Sequence, residues 1–213
     1  SAAIAVVLAI PVAYTMSRLT SPLVRRIFLA AVLLPLLVNL LLQSYGWLVI
    51  LGPGGMLNQA LMGLGLIKRP IMLLYNQNGV LMGLVQTAFP LAVLPIASAM
   101  RGVARTYEEA AATLGASRLQ VFRQVVLPMS LPGIITGATL VFAYNASSFV
   151  VPLLLGGRRV PMLAVMVHDQ IAPLMNWPAA SAAGVVLIVT TLLIMTLPEY
   201  FTGRRRRRMA ASQ

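Results

Sequence analysis

Five stretches of this chain run for about the thickness of a bilayer without a charged side chain: Ala2–Ser17, Ile27–Leu51, Gly79–Met100, Gly133–Gly156 and Ala179–Pro198. A hydrocarbon core takes roughly 20 apolar residues per helix, and in lipid only helices and closed barrels satisfy their own backbone. The stretches lack the alternation of barrel strands. Charged residues make up 9% of the chain, against about 25% in a soluble domain. These runs therefore predict an all-α transmembrane protein with five spans. Pro35, Pro90 and Pro95 fall inside spans and are compatible with helices whose neighbours satisfy the freed backbone groups.

The first apolar run begins at once, with neither Met nor a basic leader. A cleavable signal peptide is not read there, and at least one upstream segment is expected. The cationic residues are segregated. Three lie between Arg18 and Arg26, four between Arg101 and Pro128, and five in the tail "GRRRRRM"; the remainder are Lys68, Arg69, Arg158 and Arg159. The formal charge of +12 is thus a topology signal rather than a nucleic-acid footprint. By the positive-inside rule the first three groups are cytoplasmic, and the C-terminus lies inside. Residues 1–203 then form the membrane domain, with a cytoplasmic loop over 101–128, and residues 204–213 form a basic cytoplasmic tail anchored at anionic headgroups. The outer connections "GPGGMLNQALMGLGLIKRP" and "MLAVMVHDQIAPLMNWP" each carry a short apolar helix pattern.

The loop "EEAAATLGASRLQVFRQVVLPMSLPG" interrupts the apolar chain. Tyr107–Leu114 reads as a short helix with Glu108 and Glu109 near its positive end, stopped by Gly115. Ser117 suits the cap of a second helix. In that helix Leu119, Phe122, Val125 and Val126 recur on one face, opposite Arg118, Gln120, Arg123 and Gln124, and Leu127-Pro128 closes it. An amphipathic hairpin on lipid accounts for the basic face. It does not account for the acidic pair or the small Ala110–Ala112, which favour close approach by a protein partner.

This stretch resembles the EAA loop of ABC importer permeases. Glu109-Ala110-Ala111, Gly115, Val125 and Leu127-Pro128 fall at that pattern's spacings, with Val125 in place of Ile. "SYGWLVILGPGGMLNQALMGLGLI", "LLYNQNGVLMGLVQTAFPLAVLP", "FVVPLLLGG" and "NWPAASAAG" extend the resemblance over nearly the whole chain, towards the spermidine/putrescine-type branch. The resemblance implies a polytopic helical permease of the type I ABC importer kind, with a first span absent here. It implies a second permease subunit, two ATPase subunits that bind ATP and Mg, and an extracytoplasmic substrate-binding protein. Glu108, Glu109, Ala110, Ala111, Gly115, Leu127 and Pro128 are then the coupling residues that meet the ATPase. Two positions depart from the branch. Ser148 stands where an acidic residue is common, and Leu42, Gln43 and Ser44 stand where an Arg is common. Polyamine leads as cargo, ahead of amino-acid derivatives, phosphonates and ferric iron.

The only lysine, Lys68 in "LIKRP", is not in a phosphate-binding loop. His168 is the sole histidine, which excludes a two-histidine zinc site; beside Asp169 it reads as a loop residue. No cofactor and no catalytic residue is assigned to the chain. Gln43, Tyr45, Asn145, Ser147 and Ser148 are the candidate translocation-path residues; hydrogen bonding between helices is their other reading. The alternative functions are a stand-alone ion- or proton-coupled carrier, which would want acids or histidines in its spans, and a membrane subunit that carries nothing.

Overall fold

The computed structural model describes residues 1–210, and their side chains except those of Arg158 and 197–210. The side-chain role read into the tail, 204–213, lies outside the described residues. The described elements are helical throughout: α1 Ala2–Arg18, α2 Pro22–Leu37, α3 Leu40–Leu51, α4 Met56–Gly63, α5 Gln77–Gly102, α6 Arg105–Thr113, α7 Arg118–Met129, α8 Leu131–Ser147, α9 Leu163–Ile171 and α10 Trp177–Ala210.

Three helical stretches are long and apolar enough to cross a membrane: Leu40–Gly63, Gln77–Gly102 and Trp177–Thr196. A fourth arises if α7 and α8, bent by 67°, are taken together. The run Ile27–Leu51 is not one span. The Asn39 side chain accepts a hydrogen bond from the Leu41 amide at 2.9 Å and restarts the chain as α3. Asn is a strong helix cap, so a single polar residue splits an otherwise continuous apolar run. Gly133–Gly156 is also interrupted, at Ser148 and Phe149. Of the two short helices expected between the spans, α9 lies outside the long apolar stretches, whereas α4 falls inside Leu40–Gly63.

The chain divides into two compact units. One comprises Ser1, Pro35–Thr87 and Ala143–Leu193; the other comprises Ala2–Leu34, Ala88–Phe142 and the residues from Ile194. The division follows the charge. Lys68, Arg69, Arg158 and Arg159 belong to the first unit, whereas Arg18, Arg25, Arg26, Arg101, Arg105, Arg118 and Arg123 belong to the second.

In the first unit, Val80, Leu84, Val151, Leu155 and Val160 form the buried cluster, with Trp47 and Leu48 of α3 against it. The Trp47 indole also donates to Gln86 Oε1 at 3.1 Å. Asn58, fully buried, stitches the segment around α4: its amide donates to the carbonyls of Gly52 and Ile71 and its Oδ1 accepts from the Ile71 amide. In the second unit, α1 buries Ala5, Ala9, Ala13 and Met16 on one face. Against α5, α8 presents Gly133 and Gly137. A Cβ at Gly133 would stand 2.3 Å from Ala99 Cβ and 2.7 Å from the Pro95 carbonyl oxygen, and one at Gly137 3.1 Å from the Ala92 carbonyl oxygen. Lipid is as apolar as leucine, so helix association relies on such close backbone approach more than on burial from water.

Candidate functional site

The hairpin α6–α7 carries the residues with the greatest chemical content outside the apolar helices. α6 starts after Ala104, which has extended backbone and gives no side-chain cap. Glu108 falls in its first turn, where the helix dipole favours a carboxylate. Not one residue of α6 is buried, so core packing does not fix its position. It is held instead by α1. Arg18, the last residue of α1, forms an ion pair with Glu108, both side chains being under a fifth exposed (18% and 19%). Longer contacts add to it: Arg18 Nη1 donates to the Val103 carbonyl at 3.5 Å, and Arg105 Nη2 donates to the Arg18 carbonyl at 3.4 Å.

α6 ends as the glycine predicts. Gly115 has φ +86°, the Ala116 amide bonds the Ala111 carbonyl at 3.1 Å, and the Gly115 amide bonds the Ala112 carbonyl at 3.0 Å. This is a Schellman termination, in which a left-handed glycine reverses the chain and satisfies two terminal carbonyls. Two residues later a capping box opens α7: Ser117 Oγ accepts from the Gln120 amide, and Gln120 Oε1 accepts from the Ser117 amide. The joint between the helices is therefore a pair of local motifs, specified by Gly115, Ser117 and Gln120.

α7 departs from the sequence expectation in two ways. It does not close at Leu127-Pro128. A π turn spans Phe122–Val126, with the Leu127 amide reaching back to the Phe122 carbonyl, and the helix runs on to Met129 before bending at Ser130. Proline clashes with the carbonyl four residues earlier; widening the turn moves that carbonyl and lets Pro128 remain inside the helix. Nor does Leu119 share a buried face with Phe122, Val125 and Val126. Val126 is fully buried and Val121 nearly so, whereas Leu119 is 63% exposed. Phe122 meets Tyr14 of α1 edge-on at 4.9 Å, and the Arg18 guanidinium lies 5.8 Å from the Tyr14 ring. Tyr14 and Arg18, one helical turn apart, thus hold both arms of the hairpin. Reasoning from the loop alone misses this contribution of α1. Its one sequence signal is an arginine ending a helix that carries a tyrosine four residues earlier.

The two glutamates separate. Glu108 turns inward to Arg18, while Glu109 is exposed, as are Ala110, Gly115 and Pro128; Ala111 and Leu127 are half-buried. Leu114 is 89% exposed, an apolar side chain presented at the joint.

The candidate path residues do not form one cluster. Asn145 and Ser148 are buried at the end of α8; Asn145 Nδ2 bonds Ser1 Oγ at 3.2 Å. Asn145 Oδ1, Ser148 Oγ and Gln43 Oε1 have no hydrogen-bond partner among the described residues. Ser147 is exposed, and its hydroxyl bonds the carbonyls of Ala143 and Tyr144 within its own helix. Tyr45 is also exposed. His168 stacks on Phe149 at 5.2 Å between ring centroids, and its Nδ1 lies 3.3 Å from Asp169 Oδ1.

Residues 5–207 match the family described as binding-protein-dependent transport system inner membrane component. The chain belongs to that family. It is 37% identical over 175 residues to the spermidine/putrescine transport system permease protein PotB of Haemophilus influenzae, covering 82% of this chain and 61% of that one. It is 32% identical over 179 residues to the PotB protein of Escherichia coli K12, covering 84% and 65%. The chain thus spans under two thirds of the length of these relatives. A crystal structure of a bacterial alginate ABC transporter, in complex with an alginate pentasaccharide-bound periplasmic protein, superposes with a TM-score of 0.76 at 17% identity, covering 95% of this chain and 75% of that one. The fold is that of a type I ABC permease, and the EAA-type spacing of Glu109 to Pro128 lies in the α6–α7 hairpin of that fold.

Proposed function

We propose that this protein is the transmembrane permease subunit of an ATP-driven, binding-protein-dependent importer in a bacterial inner membrane. Its transport chemistry is alternating access. A second permease subunit completes the path, two ATPase subunits supply the energy, and an extracytoplasmic binding protein delivers the cargo. The C-terminus and the α6–α7 hairpin face the cytoplasm.

The observation that carries this reading is the construction of the hairpin. α6 buries nothing of its own, is tethered to α1 through Glu108, and presents Glu109 and Leu114 outward beside a glycine joint of defined angle. An exposed apolar and acidic element held rigidly on a membrane protein is suited to dock another chain. Polyamine is the cargo class supported by the relatives named spermidine/putrescine permeases. The unpartnered oxygens of Gln43, Asn145 and Ser148 support a path of neutral acceptors for ammonium groups, with selectivity residing in the separate receptor. The complex reconstituted in proteoliposomes with its ATPase and loaded receptor tests the proposal. Spermidine uptake is expected only with ATP; uptake driven by an ion gradient without nucleotide would instead establish a stand-alone carrier.

A further inference from the structure

A cavity of about 290 Å³ lies in the second unit, and no residue of the α6–α7 hairpin lines it. Arg25 and Arg26 of α2 and Arg101 at the end of α5 line it, with Leu29, Leu94 and Ser98 among the remaining residues. No carboxylate lines it, and none of the three arginines forms an ion pair among the described residues. The chain has only four acidic residues, and Glu108 is committed to Arg18.

Arg25, Arg26 and Arg101 are exposed at the cavity's rim, and three guanidinium groups about one small cavity build a positive potential that favours an anion among them. Guanidinium presents a planar fork of donors that matches phosphate oxygens in pairs. The rest of the lining is mostly apolar, which a freely hydrated oxyanion does not need. The helical turn that carries Arg25 and Arg26 also exposes Leu23, Val24 and Ile27, at 65%, 44% and 61%. A water-facing acidic partner would leave such side chains uncovered, whereas an acyl chain covers them. The volume is at the small end of ligand pockets, fitting a headgroup with its chains outside.

We propose that this cavity binds the phosphate headgroup of an anionic phospholipid, with the acyl chains lying along the apolar surface of α2. Basic pockets between membrane helices take such headgroups for the same electrostatic reason. The lipid supplies the counter-charge that the chain lacks, and joins α2 to the end of α5. The inference rests on the cavity and stands apart from the transport reading.

Native mass spectrometry of the whole chain released from detergent tests it, with phosphatidylglycerol and phosphatidylcholine of matched chains as probes. Phosphatidylglycerol is expected to remain bound with about a tenfold preference. The triple change R25Q/R26Q/R101Q removes the preference; R25K/R26K/R101K and the control R123Q, also in the second unit, keep most of it. Excess inorganic phosphate leaves the lipid adduct in place. Persistence of the preference in the triple glutamine variant overturns the proposal. Displacement by inorganic phosphate overturns it too, because the site then serves a free oxyanion. Unchanged lipid binding with lost co-purification of the ATPase identifies a protein contact instead. Should the triple variant fail to fold, the three single glutamine changes decide: each lowers the preference, and unchanged preference in all three overturns the assignment.

Discussion

Arg18 and Glu108 meet as a part-buried ion pair between the last residue of α1 and the first turn of α6. With Tyr14 against Phe122, this makes α1 the support for both arms of the hairpin. The apolar helix α1 thereby holds an element that has no buried residues of its own.

Removing either partner of that pair therefore loosens α6. Exposed pairs contribute about 0–1 kcal/mol, and breaking a buried one costs about 3–5 kcal/mol; this pair, under a fifth exposed, falls between, at about 1–3 kcal/mol. Hydrogen exchange over residues 105–113 is expected to accelerate in Arg18→Ala and in Glu108→Gln, with residues 77–100 unaffected. The reversed pair R18E/E108R recovers part of the protection. Unchanged exchange in both single variants would show that the ion pair does not hold the helix.

The Gly115 joint gives a second test. At φ +86° a side chain costs about 1–2 kcal/mol in backbone strain, yet a Cβ there would meet nothing within 4 Å. The strain is purely conformational. Gly115→Val and Gly115→Ala should both lose transport in reconstituted complexes while the subunit inserts and assembles. Gly115→Asn should retain more activity, because Asn tolerates the left-handed region. If alanine and asparagine behave alike, the joint's angle is not what coupling requires.

Gly133 is the opposite case, limited by space rather than by dihedral angle. Its absent Cβ makes room for Ala99 and the Pro95 carbonyl, so Gly133→Val overpacks the α5–α8 contact at a cost of about 1–3 kcal/mol. The thermal midpoint of the detergent-solubilised protein is expected to fall, and Gly184→Ala, with open space around it, to leave it unchanged. A midpoint equal to wild type in Gly133→Val would mean that α8 does not approach α5 so closely.

These positions show where sequence is a sufficient guide. Gly115, Ser117 and Gln120 announce the hairpin because caps and Schellman turns are satisfied within a few residues. Long apolar runs announce α5 and α10 because bilayer thickness sets their length. Asn39 and Pro128 are misread by the same local rules. An asparagine in an apolar run looks like a tolerated polar residue until its side chain is seen capping α3. A proline reads as a stop unless the preceding turn widens to accommodate it. The grip of Arg18 on Glu108 and the convergence of Arg25, Arg26 and Arg101 have no local signature, since residues far apart in the chain create them. The path set was the least legible. Ser147 satisfies its hydroxyl inside its own helix, whereas Asn145 and Ser148 keep unpartnered oxygens, and polarity in the sequence is the same for all three.

Topology has a direct test, aided by the absence of cysteine from the chain. Single cysteines at Ser117 and at Leu66, both exposed, report the two sides. An impermeant thiol reagent applied to intact cells is expected to label Leu66→Cys, and to reach Ser117→Cys only after permeabilisation. The reverse pattern would place the hairpin outside and end the ATPase-docking proposal.

The two adjacent glutamates differ in what their replacement disturbs. Glu108 faces Arg18, so its replacement is read out as local loosening of α6. Glu109 is exposed and makes no ion pair among the described residues, so its replacement leaves the fold alone and is felt only by a docked partner. Glu109→Lys should therefore keep wild-type hydrogen exchange over residues 105–113. It should nevertheless lower receptor-stimulated ATP hydrolysis and uptake by about tenfold or more, the effect of about 1.4 kcal/mol at the contact. Glu109→Gln, which keeps shape and removes charge, should fall between. Loss of activity accompanied by faster exchange would assign Glu109 a role in holding the helix instead. Wild-type hydrolysis and uptake in Glu109→Lys would remove this face of α6 from the coupling contact and leave the exposed Leu114 as the remaining point of engagement.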